Sequence, residues 1–175
     1  VLVAAGVSLK VGLIAVGISL VTGVTIGLFA GYSGRFVDDA LMRVMDMLFA
    51  FPAVLLAIAV LAVRGPGAGN TALAIGIVYI PVFARVTRAS VLGVREEVYV
   101  RASRSVGASD LRLLTRHVLP NAAPPIIVQT SISLAFAVLA EAALSFLGLG
   151  PRRPNPSWGL MLADGRGFIE QAWWY

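Results

Sequence analysis

Apolar residues fill four long runs of this 175-residue chain, and most polar residues lie between the runs. Because a helix rises about 1.5 Å per residue, about 20 apolar residues cross a hydrocarbon core roughly 30 Å thick. The pattern predicts an all-α, polytopic membrane protein with about four transmembrane helices and a single domain, 1–175. The predicted spans cover about residues 9–30, 45–63, 71–89 and 125–149.

Glycines, prolines and one carboxylate add detail to the predicted spans. Gly23 and Gly27 form a small-xxx-small pair, which allows close approach of another helix; general tight packing is favoured over a specific dimer motif. Pro52 and Pro81 lie inside their runs and predict kinks, which membrane helices tolerate when neighbours satisfy the freed carbonyl. Asp46 is expected at a helix N-terminus, where the dipole favours a negative charge.

The composition agrees with a membrane protein and excludes several other classes. Hydrophobic residues make up 58% of the chain and charged residues 13%, with a mean hydropathy of +0.88; average soluble domains carry about 25% charge. The chain has no cysteine, and His117 is its one histidine, so disulfides, thiolate sites and His-cluster metal sites are not expected. No basic patch is interleaved with aromatics, so a nucleic-acid partner is not expected either.

Basic residues are distributed unevenly between the two sides that four spans would create, with nine on one side and five on the other. The positive-inside rule places the richer side in the cytoplasm. The polar insert 95–121 is then cytoplasmic, and the loops 64–70 and 150–175 face outward. The cytoplasmic set is Arg35, Arg43, Arg85, Arg88, Arg95, Arg101, Arg104, Arg112 and Arg116; the outward set is Lys10, Arg64, Arg152, Arg153 and Arg166.

The last segment, 150–175, is predicted to be an extracytoplasmic loop containing one short helix. Ser157 is a candidate N-cap for an amphipathic helix to about Ala163. Three tryptophans are expected to anchor at the outer membrane interface: Trp158, Trp173 and Trp174. The chain begins without a methionine and ends abruptly after these aromatics, so it is expected to be an internal part of a larger membrane protein.

The insert from Arg95 to Asn121 is predicted to form a helix, a bend and a second helix. Glu96–Val106 has helical composition, and Gly107 interrupts it at a position suited to positive φ. Two alternatives follow for such an insert. It lies on the lipid surface as an amphipathic linker, or it docks onto a partner as a helix in a groove.

The second half of the insert is predicted to be a short helix. Ser109 or Asp110 can cap it, and it should continue to about Arg116. Pro120 is expected to stop it.

The insert resembles the EAA loop of ABC-importer membrane subunits, whose pattern is E-A-A-x-x-x-G followed by I-x-L-P. The corresponding residues are Arg101-Ala102-Ser103, then Gly107, then Val118-Leu119-Pro120. Two positions depart from the pattern, because Arg101 replaces the glutamate and Ser103 the second alanine. A partner contact that uses a carboxylate there is not expected.

Further segments resemble the dipeptide/oligopeptide (DppC/OppC-type) branch of these binding-protein-dependent importers. They are Gly31–Gly34, Gly107–Leu111, Arg116–Asn121, Ala140–Gly150 and Pro156–Gly159. The resemblance covers nearly the whole chain in matching order. It implies a MetI-like permease core, with the first and last of six transmembrane helices missing from this chain.

The resemblance also implies a mechanism and a set of partners. The EAA loop would act as a coupling helix for cytoplasmic ATP-binding subunits, beside a second homologous permease and an extracytoplasmic substrate-binding protein in a bacterial inner membrane. The chain itself would not be an enzyme and would bind no cofactor, since ATP and Mg belong to the partner subunits. In agreement, no G-x-x-x-x-G-K-[ST] phosphate loop is present.

By the same resemblance, the insert residues receive individual roles. Gly107 to Asp110 would set the bend, Leu111 and Leu114 would be apolar anchors, and Arg112, Arg116 and His117 a polar rim. A plain helix stop is an equal alternative for Gly107. The coupling loop would consist of Arg101, Ala102, Ser103, Gly107, Ala108, Ser109, Asp110, Leu111, Leu114, Arg116, His117, Leu119 and Pro120.

Three residues in or near the predicted spans are candidates for lining a translocation path. Glu141 is an ionisable residue deep in a span, where such groups are costly and usually functional. It would meet a peptide amino terminus, or instead bond to a neighbouring helix. Tyr79 and Phe51 are further candidates, although aromatic residues in spans more often serve packing.

Two other classes compete with the importer subunit. A channel or secondary transporter with a lipid-surface linker should show inverted repeats or several buried charges, and only Glu141 lies deep in a span. An intramembrane enzyme needs paired catalytic residues within spans, and His117 lies in the polar insert. The substrate, whether dipeptide, oligopeptide or nickel, is not determined by these residues.

Overall fold

The fold is all-α, which confirms the class predicted from the apolar runs. A computed structural model describes residues 1–152 and 154–168, and this part of the chain contains no β-strand. A five-residue π-helical turn, Leu114–Val118, joins the sixth and seventh helices. The helices are α1 (Leu2–Tyr32), α2 (Arg35–Phe49), α3 (Ala53–Arg64), α4 (Ala68–Val94), α5 (Val98–Ser105), α6 (Asp110–Leu113), α7 (Leu119–Phe146) and α8 (Trp158–Gly165), followed by a 3-10 turn at Arg166–Phe168.

Three helical stretches within the described residues are long and apolar enough to cross a membrane: α1, α4 and the continuous stretch Asp110–Phe146. The pair α2 and α3 passes the same test only as a broken span. The kink predicted near Pro52 is a break that separates α2 from α3. The chain breaks at Pro52, which occupies the N-cap position of α3 and disfavours the helical conformation at the residue before it.

Asp46 does not lie at a helix N-terminus, contrary to the sequence prediction. It lies near the C-terminal end of α2, where the helix dipole disfavours a carboxylate. Arg85 of α4 compensates by donating a hydrogen bond of 2.7 Å from Nη2 to Asp46 Oδ1. The guanidinium of Arg85 also lies 4.2 Å from the ring centroid of Phe49. Asp46 thus links α2 to α4.

The helices divide into two compact units, each built from part of α1, α4 and α7. We call the first the insert unit, because it contains the helix–bend–helix segment, and the second the α8 unit. The insert unit comprises Ser19–Ala50 and Tyr79–Ile132; the α8 unit comprises Val1–Ile18, Phe51–Val78 and the described residues from Ser133 onward.

In the insert unit, α1 and α4 meet along a seam of three glycines. A Cβ added at Gly27 would lie 2.5 Å from the carbonyl oxygen of Ala84 and 2.7 Å from Cβ of Thr87. Gly23 and Gly31 have similarly close neighbours on α4. The small-xxx-small pair thus brings two helix backbones together within the chain, as the sequence predicts.

In the α8 unit, α8 is held at its first turn. Ser157 is its N-cap and accepts a hydrogen bond of 3.4 Å from the Leu160 N–H, which confirms the predicted cap. The Trp158 N–H is directed at Ser8 Oγ of α1 at 3.4 Å. A Cβ at Gly159 would overlap the carbonyl oxygen of Ala142, so α8 lies directly on the α7 backbone. Arg153, Trp173 and Trp174, the other predicted outward cation and interface anchors, lie outside the described residues.

Pro120 does not stop the second helix of the insert. The helix passes through the π-helical turn at Leu114–Val118 and continues as α7, with Pro124 and Pro125 also inside it. The Leu119 N–H bonds to the Leu114 carbonyl, five residues back. This wider turn shifts the hydrogen-bond register just before Pro120, which has no N–H to donate. The expected short helix ending near Arg116 is therefore the first part of a long one.

Candidate functional site

The helix–bend–helix segment has a well-defined bend. Gly107 has φ +85°, as predicted, and a Cβ there would meet no atom within 4 Å. The Ala108 N–H bonds to the Ser103 carbonyl at 3.1 Å, and the Gly107 N–H to the Arg104 carbonyl at 3.0 Å. These two bonds form a Schellman motif, which ends α5 and requires a left-handed residue at Gly107.

Asp110 begins the second arm of the bend. Ser109 occupies the N-cap position with extended backbone, φ −67° and ψ 152°, but its side chain makes no capping hydrogen bond. The Asp110 carboxylate instead accepts a hydrogen bond of 2.6 Å from the hydroxyl of Tyr32, the last residue of α1. The bend is therefore linked to the end of α1.

An apolar cluster anchors the inner side of the segment. Because buried apolar area stabilises packing in proportion to its size, this cluster holds both arms against α1 and α4. The segment is thus a folded part of the insert unit and not a loose amphipathic linker. The buried members are Val91, Val100, Leu113, Val118 and Ala122, and Leu28, Tyr32, Val94, Ala108 and Leu114 pack against them partly buried.

The outer side of the segment presents apolar side chains next to cations. Leu111 is 72% exposed, Val106 87% and Val98 71%. Arg101 and Arg112 are exposed as well. Apolar groups held on a rigid, solvent-facing surface and flanked by charges are typical of an interaction site.

The two predicted apolar anchors do not share an environment. Leu111 points outward, whereas Leu114 is half-buried and packs against the inner cluster.

The remaining predicted residues of the coupling loop lie on both sides of the segment. The His117 ring is tilted against the Tyr99 ring, with centroids 6.4 Å apart, so this predicted rim residue contacts α5. Exposed members are Arg101, Ala102, Gly107, Ser109, Asp110, Leu111, Arg116 and Pro120; half-buried members are Ser103, Ala108, Leu114, His117 and Leu119.

A polar network joins the segment to the end of α1. Arg104 Nη2 donates a hydrogen bond of 2.9 Å to the Tyr32 hydroxyl, and its guanidinium lies 5.5 Å from the Tyr32 ring centroid. The hydrogen bond to Tyr32 raises the pKa of Arg104 above its ordinary value. Arg95 Nη1 donates to the Gly31 carbonyl at 2.8 Å. These contacts attach the helix–bend–helix segment to the C-terminal end of α1.

The sequence prediction missed several of these residues. Tyr32 was assigned only to a turn, although α1 extends through it. The sequence did offer one indication that Tyr32 is important, because Tyr32 lies in the Gly31–Gly34 segment, which resembles the importers. Arg104 was not singled out, because its partner Tyr32 lies 72 positions earlier in the chain. Leu113 was not singled out either, because the buried cluster that it joins includes residues from distant helices.

The three candidate path residues lie on different elements. Phe51, in the break before α3, is 60% exposed. Tyr79 of α4 is half-buried. Glu141 of α7 is fully buried, and its Oε1 accepts a hydrogen bond of 2.5 Å from Ser145 Oγ, one turn further along the helix. In the described part of the chain, no group of three acidic, histidine or cysteine side chains is arranged to hold a metal.

Sequence relatives and solved structures resemble this chain over most of its length. The dipeptide transport system permease protein DppC of Alkalihalophilus pseudofirmus is 46% identical over 97% of this chain and 56% of its own length. The di/tripeptide permease DppC of Pseudomonas aeruginosa is 49% identical with the same coverage. The glutathione permease GsiD of Pectobacterium atrosepticum is 42% identical over 91% of this chain and 53% of its own length. The chain thus spans about half the length of these curated relatives.

The same fold occurs in an inward-facing structure of the MetNI methionine ABC transporter, with a TM-score of 0.78 over 97% of this chain and 80% of that chain, at 16% identity. The family model for the "Binding-protein-dependent transport system inner membrane component" matches residues 23–170. With its long apolar helices, the chain is part of a multi-pass membrane protein. It belongs to the family of binding-protein-dependent transport system inner membrane components.

Proposed function

We propose that this chain is part of the transmembrane subunit of an ATP-driven importer of peptides. The supporting observation is the rigid helix–bend–helix segment, anchored by a buried cluster and displaying exposed apolar residues at its bend. The names of the relatives, which are dipeptide, di/tripeptide and glutathione permeases, support a peptide substrate. The whole subunit would work with a second homologous permease and an extracytoplasmic binding protein.

The helix–bend–helix segment is proposed to dock onto cytoplasmic ATP-binding subunits. Val106 and Leu111 would enter an apolar groove of the partner, and Arg101, Arg112 and Arg116 would lie at its rim. A rigid segment suits this role because a docked element transmits force only when it is fixed to the helices that must move. ATP and Mg would be bound by the partner, so hydrolysis would take place outside this chain.

The orientation supports the same proposal. The segment carries five of the nine arginines assigned to the cytoplasmic side: Arg95, Arg101, Arg104, Arg112 and Arg116. The segment therefore faces the compartment that supplies ATP, in a bacterial-type inner membrane.

The translocation path is proposed to include Phe51, Tyr79 and Glu141. Phe51 and Tyr79 retain exposed surface that a passing substrate can contact. Glu141 is fully buried and bonded to Ser145, so its contribution would be to hold the wall of the path in place.

Co-purification of the full-length protein from its native membrane tests the proposal. Wild type should retain an ATP-binding subunit in mild detergent. Leu111→Asp should lose it, because a charge would enter the docking groove. Leu111→Met is the matched control, since it keeps an apolar side chain of similar volume and should retain the subunit. Absence of any ATP-binding subunit from wild type, together with ATP-independent uptake, would favour a channel or secondary transporter.

A further inference from the structure

One hydroxyl group connects both arms of the helix–bend–helix segment to α1. Tyr32 Oη donates to Asp110 Oδ1 at 2.6 Å and accepts from Arg104 Nη2 at 2.9 Å. The direction of both bonds is fixed by chemistry, because a carboxylate only accepts and a guanidinium only donates. The hydroxyl therefore holds the last turn of α5 and the first residue of α6 at a single point.

The Tyr32 hydroxyl connects residues on both sides of the bend to a long helix. Arg104 and Asp110 lie on opposite sides of the left-handed residue Gly107. Tyr32 is the last residue of α1, whose neighbouring glycines pack against α4. A displacement of the bend must therefore either move the end of α1 or break the hydrogen bonds of Tyr32.

The ring and the hydroxyl of Tyr32 have separable roles. The ring packs against the buried cluster that includes Val100 and Leu113, whereas the hydroxyl makes the polar links. Removal of the hydroxyl alone leaves the ring in the cluster. Tyr32→Phe is therefore a selective probe of the links.

We propose that Tyr32 is a positioning residue that transmits movement of the docked segment to α1, and thereby couples ATP hydrolysis to substrate movement. This inference rests on the proposed function. It adds to that function a specific connection between the bend and a membrane helix, made through Arg104 and Asp110.

The experiment uses the complete importer, with binding protein, reconstituted in liposomes. Substrate-stimulated ATP hydrolysis and substrate uptake are measured together. For Tyr32→Phe we expect unchanged recovery of ATP-binding subunits and a fall of about tenfold in substrate transported per ATP hydrolysed, the factor that corresponds to losing a hydrogen bond worth about 1.4 kcal/mol. Ser105→Ala is the control, because the Ser105 hydroxyl bonds only one turn back, to the Arg101 carbonyl of the same helix.

A double-mutant cycle separates transmission from general stability. Asp110→Asn should lower the same transport-to-ATP ratio, and the double variant should be no worse than Tyr32→Phe, because both changes weaken one connection. An unchanged ratio in Tyr32→Phe, or a loss of ATP-binding subunits in proportion to the loss of uptake, would overturn the inference. Failure of the proposed function would differ, since wild type itself would then show no substrate-stimulated ATP hydrolysis.

Discussion

Arg88 and Asp38 form a two-point ion pair that fastens α4 to α2. Nε donates to Oδ1 at 2.5 Å and Nη2 donates to Oδ2 at 2.6 Å, with side-chain exposures of 34% and 13%. A guanidinium and a carboxylate in this parallel arrangement form two charge-assisted hydrogen bonds with fixed geometry. The pair therefore fixes how α2 lies against α4 within the insert unit.

Asp38→Asn should destabilise the full-length protein by about 1–3 kcal/mol, because the half-buried Arg88 loses its counter-charge. Asp39→Asn is the control on the same helix. Asp39 pairs with Arg35 at 3.7 Å with side chains 95% and 58% exposed, and such surface pairs contribute about 0–1 kcal/mol. Thermal unfolding in detergent measures both. Equal shifts for the two variants would contradict the structural importance of the Arg88 pair.

Gly27→Ala should destabilise the seam between α1 and α4 by about 1–3 kcal/mol through overpacking. The added methyl would press on backbone atoms of Ala84, which cannot rotate away. Gly17→Ala, on the same helix, adds a methyl that meets nothing within 4 Å. This control should be neutral or stabilising by up to about 1 kcal/mol, because alanine favours a helix over glycine. The unfolding temperature should thus fall for Gly27→Ala and stay unchanged or rise for Gly17→Ala.

Gly107→Ala should strain the bend by about 1–2 kcal/mol, because an L-residue with a Cβ disfavours positive φ. No neighbour would contact the methyl, so the effect comes from the backbone alone. Gly107→Asn should restore much of the loss, since asparagine tolerates this conformation. Hydrogen exchange at the Gly107 and Ala108 amides, which close the Schellman motif, reports the result.

Gly34→Ala is the control for this bend, since Gly34 has φ −68° and open space around it. Equal exchange rates in Gly107→Ala and wild type would show that the bend does not depend on glycine.

Local patterns predicted those features that depend on one stretch of sequence. Long apolar runs predicted the long helices, because the hydrocarbon core sets their length and polarity. The positive φ of Gly107 and the N-cap role of Ser157 were both predictable from the sequence, because each depends on neighbours within a few residues. The close contact of α1 with another helix was predictable from the spacing of Gly23 and Gly27.

Several failed predictions involve tertiary context or a change in helical register. Pro120 is normally a helix stop, but the π-helical turn before it accommodates the missing N–H. Leu111 is exposed and Leu114 half-buried because only Leu114 packs against the cluster formed with distant helices. Tyr32 acquires its partners Arg104 and Asp110 only when positions more than 70 residues apart meet. No periodicity in the chain contains that information.

Glu141 is a fully buried carboxylate. Its Oε1 accepts a hydrogen bond from Ser145, whereas its Oε2 has no hydrogen-bond partner in the described part of the chain. An unpaired buried oxygen is costly, so the side chain's shape and its bond to Ser145 matter more than its charge. Glu141→Gln keeps both shape and acceptor. It should therefore fold with equal or greater stability.

Glu141→Ala removes a fully buried side chain and should destabilise by about 2–5 kcal/mol, as other large-to-small core changes do. Uptake in liposomes should follow the same order: near wild type for Glu141→Gln and reduced for Glu141→Ala. This order follows because Glu141 bonds to Ser145, which lies next to Gly159 of α8, and the cavity would loosen that contact. A stable Glu141→Gln protein without uptake would instead assign the carboxylate charge a direct part in substrate passage.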